Sequence, residues 1–330
     1  MKICIYGAGA IGGLLGAELA LAGSNVTLIA RGPHLEAMQT NGLTLIKGDK
    51  EFVTRPAARD NPAEIGPQDY VIITLKAHSV PGIVEDIRPL LGPDTAVVWA
   101  VNGVPWWYFY SLDGPYRDKR LNTVDPGGKQ WEHIGPERII GCIVYPAAEV
   151  SEPGIVQHIE GNRFSLGEPS GKKTERVQAL AQEMVRAGLR APVRTRIRDE
   201  LWVKLWGNLS LNPMSALTGA TLEDLCQNSE TYAIIRAMMV EAQEIGEKLG
   251  VKFAIDVDQR IEGAKAVGAH KTSMLQDLER GRPMEIDALV GAVAEMGRLT
   301  GTATPMIDDI LGQVIEVAQQ TSCYDLEPGI

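Results

Sequence analysis

The chain's 330 residues are enough for two domains with cores of their own, and 45% apolar beside 22% charged residues is an ordinary soluble, globular balance. A formal net charge of −10 without a long basic run argues against a nucleic-acid surface, and outside the glycine-rich start no uninterrupted apolar segment is long enough to span a membrane. Four cysteines lie far apart and five histidines form no zinc-type pair, which points to free thiols in a reducing compartment, no metal, and a cytoplasmic chain.

Ile3–Tyr6 is a short apolar run bounded by glycine, the mark of a buried parallel strand. Gly7, Gly9 and Gly12 then spell G-x-G-x-x-G, Ile11–Ala22 continues at helical spacing, and Asn25–Ala30 is a second β-branched run. A signal peptide is the competing reading, but Gly12, Gly13, Gly16 and Glu18 make a poor signal core and a matching strand follows. Strand, glycine turn, helix and strand together predict a dinucleotide site. The first glycine makes the turn, the second admits a pyrophosphate, the third lets helix and strand pack, and the helix N-terminus offers N–H groups to phosphate. Arg31 ends the second strand where an acid would hold a ribose 2′-hydroxyl, and an arginine there suits the 2′-phosphate of NADP.

Beyond Arg31, His34–Thr40 reads as a short helix and Leu43–Thr54 as strand residues around Gly48-Asp49. Asp69–Lys76 is a buried strand with a polar end, Val80–Leu91 a helix stopped by Gly92-Pro93, and Thr95–Val101 a strand ending at Asn102-Gly103. Such alternation predicts a doubly wound parallel sheet, an α/β domain of the Rossmann type. Ligands bind beyond the carboxyl ends of such strands, so Lys76 and Asn102 are candidates; a solvated strand end and an Asn-Gly turn are the plainer readings. Pro105–Arg138 is aromatic and too long for an ordinary connection, which leaves a lid, an oligomer contact or an added hairpin. Ile139–Tyr145 reads as a strand, Gly154–Glu168 as paired strands around Glu160-Gly161-Asn162, Thr174–Ala187 as a helix, and Pro192–Arg196 as a candidate last strand. From Ile197 only helical patterns remain. The expected division is 1–196 for the nucleotide-binding domain and 197–330 for an all-helical one that holds substrate and carries any homodimer contact.

Lys204, Asn208 and Asn212 recur every four residues within Asp199–Ala216, so they line one face of a helix beside the apolar stripe Leu201, Leu205 and Leu209. Pro213 is expected to bend or end that helix after Asn212. Ser273 opens SMLQDLERG, and Glu285 follows Pro283 in an expected first helical turn, where the helix dipole alone would account for a carboxylate.

GAGAIG at 7–12, TLKA at 74–77, Asn102-Gly103, the W-x-K-x-x-x-N-x-x-x-N-P run at 202–213, and SMLQD followed by EID at 273–287 together resemble the ketopantoate reductase (2-dehydropantoate 2-reductase) family over nearly the whole chain. The resemblance implies NADPH-dependent reduction of 2-dehydropantoate, a 2-oxo acid of pantothenate and coenzyme A biosynthesis. It gives Lys204 the role of proton donor, places Glu285 near cofactor and reacting centre, and makes Asn208, Asn212 and Ser273 substrate ligands. Asn102 would touch both cofactor and substrate; Gly7, Ala8, Gly9, Ala10, Ile11, Gly12, Arg31 and Lys76 would hold NADPH. The chain departs from the family pattern at His270 and near Leu222, where many members carry Asn, and in its long 105–138 segment. The alternatives are a paralogous NADP-dependent reductase of another 2-oxo acid, ketone or imine, and a non-catalytic NADP sensor, which would have no use for the Lys204 row.

Overall fold

The computed structural model describes residues 1–324, which divide into two compact units. The first comprises Met1–Asn102, Trp107–Lys119 and Gly128–Ile197; the second comprises Gly103–Trp106, Arg120–Gly127 and the chain from Arg198 onward.

The first unit runs β1 (Lys2–Tyr6), α1 (Ala10–Leu21), β2 (Asn25–Ile29), α2 (Gly32–Asn41), β3 (Leu43–Lys47), β4 (Lys50–Thr54), β5 (Ala57–Arg59), β6 (Gln68–Ile73), β7 (Leu91–Trp99), α3 (Lys129–His133), β8 (Ile139–Val144), β9 (Ala147–Glu152), β10 (Ile155–Glu160), β11 (Phe164–Gly167) and α4 (Glu175–Arg186). Seven strands form one sheet in the order β11-β8-β7-β6-β1-β2-β5, with β11 antiparallel to β8 and every other pair parallel. Its central strands are apolar on both faces because both faces are covered: Ile3, Cys4, Ile5, Val71, Ile72, Val97 and Val98 are all fully buried. The chain leaves β1 toward β2 on one side and returns to β6 on the other, so the topological switch point lies between β1 and β6. A second sheet, β4-β3-β10-β9, pairs β3 with β10 in parallel. Helix α1 packs against both sheets, and a methyl group on Gly13 would run into Val156 of β10. That is why α1 is apolar nearly all round.

Four local expectations are corrected here. Val80–Leu91 is not a helix but separate 3₁₀ turns at Pro81–Ile83 and Arg88–Leu90, because Pro81-Gly82 and Pro89 remove donors and rigidity from the run. The two strands within Gly154–Glu168 do not pair with each other: β10 lies between β3 and β9, while β11 joins β8 in the larger sheet. The 105–138 segment is no hairpin. It holds two 3₁₀ turns and α3 but no strand, and Trp106, Trp107, Tyr108 and Phe109 are core side chains at most 1% exposed. Pro192–Arg196 contributes one isolated bridge, Val193 to Leu166, since Pro192 lacks the N–H a longer ladder needs.

Among the described residues the second unit is strand-free: α5 (Ile197–Thr218, its first residue still in the first unit), α6 (Leu222–Gln227), α7 (Ser229–Lys248), α8 (Val257–Lys265), α9 (Ser273–Glu279), a π turn (Asp287–Gly291), α10 (Ala292–Thr300) and α11 (Pro305–Gln320). Trp206 of α5 stacks on Phe253 at 4.2 Å between centroids, and Trp202 meets the same ring edge-on. Pro213 does not end α5, which runs on to Thr218. Leu209, Leu211, Met214 and Ala216 are buried on either side of the proline, and their packing outweighs the backbone bond it removes. Pro283 also lies outside any helix: Met284 N–H donates to the Cys323 carbonyl, and helical bonding resumes with Leu289 N–H to Glu285 O. None of the described helices is long and apolar enough to cross a membrane.

Candidate functional site

In the first unit, the carboxyl ends of four adjacent strands, β2, β1, β6 and β7, carry Arg31, the glycine turn, Lys76 and Asn102 respectively. Backbone bonds extend this row past the strands, from Thr74 N–H to Tyr6 O and from Ala100 N–H to Ile73 O, both at 3.0 Å. Gly7 takes φ +101°, which only glycine adopts without strain, and its N–H and that of Ala8 both donate to Ile29 O. Gly12 is packed so tightly that a Cβ would collide with the Gly7 carbonyl and the Thr74 hydroxyl, whereas a Cβ on Gly9 would meet nothing within 4 Å. The three glycines therefore do three different things: turn, open approach and close packing.

Helix α1 starts at Ala10 with no capping side chain and no acid in its first turn, so its leading N–H groups suit an anion. Arg31 is exposed and caps the start of α2 in an extended conformation. Burial and, secondarily, Asp86 push the Tyr6 phenol up to about 12, with Arg31 opposing them. Lys76 is half-buried at the head of a 3₁₀ turn, and Asn102 is half-buried ahead of Gly103. A glycine cradle, an uncapped helix end and an exposed arginine in one row fit a dinucleotide bearing a ribose phosphate.

His34 was not among the residues the sequence pointed to. Its Nδ1 accepts from Gly154 N–H at 2.9 Å, so the proton sits on Nε2, which donates to Ala8 O at 2.8 Å. Burial holds its pKa below the ordinary value, with the Ala8 carbonyl pulling the other way. No periodicity marks it, because its partners are 26 and 120 residues away.

In the second unit, Lys204, Asn208 and Asn212 do follow one face of α5, half-buried at the first two positions and 5% exposed at Asn212. The Nδ2 of Asn212 is buried with no hydrogen-bond partner, which leaves an amide donor able to serve a ligand. Alongside, Arg260 of α8 donates from Nε to Val203 O at 3.2 Å and lies over Gly207, where a Cβ would have to push its guanidinium aside. Ser273 is exposed at the first position of α9, behind the Thr272 cap. Glu285 is buried at the entrance to the π turn, a helix irregularity often found at functional sites. Leu222 N–H donates to His270 O at 2.9 Å, so the two departures from the family pattern are neighbours.

Comparisons with known proteins give the family of the chain. Residues 3–106 match the model described as ketopantoate reductase PanE/ApbA, and residues 196–320 match its C-terminal counterpart. The chain is 59% identical over 325 residues to the 2-dehydropantoate 2-reductase of Mesorhizobium japonicum, covering 98% of this chain and all of that one. The chain belongs to the ketopantoate reductase family. Among solved structures, one from Ralstonia solanacearum assigned to the ketopantoate reductases superposes with a TM-score of 0.93 at 41% identity, covering 98% of this chain and 99% of that one. The 2-dehydropantoate 2-reductase of Geobacter metallireducens gives 0.84 at 28% identity, covering 96% and 99%. The doubly wound sheet followed by helices is thus the architecture of this family, and the residues carrying its motifs occupy the strand ends and helix faces described above.

Proposed function

We propose that this chain is an NADP-dependent 2-dehydropantoate 2-reductase, converting 2-dehydropantoate to pantoate. From the geometry, one observation carries the reading most directly: the buried, unpartnered amide of Asn212 on the same helix face as Lys204 and Asn208. When bound, NADPH supplies the hydride for the substrate's carbonyl carbon. Gly7, Gly9 and Gly12 with the start of α1 would cradle its pyrophosphate, Arg31 its 2′-phosphate, and Lys76 and Asn102 its neighbouring parts.

Lys204 holds the proton at Nζ and gives it to the carbonyl oxygen as negative charge develops there. One ammonium thereby stabilises the alkoxide and completes the alcohol. Asn208, Asn212 and Ser273 present neutral hydrogen-bonding groups to the carboxylate and hydroxyl of a 2-oxo acid. Glu285, buried at the entrance to the π turn of the helical unit, would orient substrate or ammonium. Net charge and composition fit a small-molecule partner rather than nucleic acid, and four separate buried free cysteines fit the cytoplasm.

The test is NADPH oxidation with 2-dehydropantoate against a panel of other 2-oxo acids. The expected result is a kcat/KM highest for 2-dehydropantoate. A clear preference for another 2-oxo acid would replace the substrate assignment, and no turnover with any would remove the reductase reading.

A further inference from the structure

We propose that His34 is a positioning residue for the cofactor-binding turn, setting the plane of the peptide between Ala8 and Gly9. This rests on the NADPH reading above. The ring stands between two backbone groups that nothing in the linear sequence brings together: it donates to Ala8 O at 2.8 Å and accepts from Gly154 N–H at 2.9 Å. Gly154 is itself held, its carbonyl accepting from Thr44 N–H at 2.9 Å in the second sheet. In a planar peptide the C=O of Ala8 and the N–H of Gly9 point in opposite directions. Fixing the carbonyl toward His34 therefore fixes the Gly9 N–H, which donates to Gly7 O at 2.8 Å. Gly9 is the one motif glycine whose Cβ position is open. The ring thus anchors to the second sheet the peptide that a pyrophosphate must approach, while touching no part of the ligand.

A residue in this role acts on the affinity of the whole dinucleotide. It does not discriminate between NADPH and NADH, which differ at the ribose phosphate beside Arg31. His34→Ala, His34→Gln and His34→Asn, made in the full chain, test the idea by direct fluorescence titration with NADPH and NADH, with thermal melts to confirm folding. His34→Ala should weaken both cofactors by the same factor, about five- to tenfold, with kcat at saturating NADPH retained. His34→Gln places an amide near Nε2 and should restore most of the affinity; His34→Asn reaches only the Nδ1 position and should not. Arg31→Ala should instead change the NADPH-to-NADH ratio.

Wild-type binding left intact in both the Ala and Asn variants overturns the proposal, as does equal weakening by Gln and Asn. A wild-type chain that binds neither cofactor overturns it together with the reading beneath it. A chain that binds NADPH but reduces no 2-oxo acid removes only the substrate assignment.

Discussion

The Thr74 hydroxyl donates to the Gly7 carbonyl at 2.7 Å, joining the end of β6 to the turn that follows β1. The same two groups are those a side chain at position 12 would strike. Gly12→Ala should therefore raise the dissociation constant for NADPH more than tenfold and lower the melting temperature, because the Gly7 carbonyl is backbone and cannot rotate away. Fluorescence titration and a thermal melt check both; an alanine variant with normal cofactor affinity would mean the turn is not the binding surface.

Asn212 offers a prediction of opposite signs. Replacing it by Leu removes a buried donor that has no partner, so Asn212→Leu should be about 1 kcal/mol more stable than the native chain while its KM for the 2-oxo acid rises. Chemical denaturation and steady-state kinetics on the same preparation separate the two effects. Loss of stability without change in KM would make Asn212 a structural residue.

Lys204→Ala should lower kcat by roughly a hundred- to ten-thousandfold, the usual worth of a positioned acid, while NADPH binding stays near native. Retained turnover would transfer the acid to another group.

His34 also makes stability depend on pH. Its folded pKa lies below its ordinary value of 6.5, so the folded chain binds fewer protons than the unfolded one in the window beneath 6.5. Its contribution is complete above pH 6.5 and is lost as pH falls toward the folded value, where a second ring proton would face the Gly154 N–H. Arg31 at the head of α2, Glu36 on α2, Arg59 on β5 and Glu152 on β9 are all exposed, Lys47 on β3 and Glu18 on α1 are half-buried and pair with each other, and burial is the governing cause. Denaturation midpoints measured across this range should fall more steeply for the native chain than for His34→Gln.

The main sheet was legible because its central strands are buried on both faces and read as unbroken apolar runs, as in Ile3–Tyr6 and Tyr70–Ile73. The Lys204 row was legible because helical spacing is local arithmetic. The second sheet was not: Thr44 pairs in parallel with Ile155, and no local pattern announces a partner that distant. Pro213 misled because backbone preference was weighed without the packing of Leu209, Leu211 and Met214 around it. Of the candidate site, the glycine turn and the helix face could be placed residue by residue. His34 could not, since its meaning comes from two backbone atoms supplied by turns distant in sequence.

Gly103–Trp106 and Arg120–Gly127 belong to the helical unit although they are encoded amid the first. Val104 N–H donates to Ala288 O at 2.8 Å, and the Glu295 carboxylate accepts from the N–H groups of Asn122 and Thr123, both at 2.9 Å. A fragment made by severing the chain once, near residue 197, would leave that carbonyl and that carboxylate without these donors and would strip the π turn of a neighbour. Dissecting this enzyme into halves for separate study would thus require carrying the loop along, or supplying it in trans as a peptide.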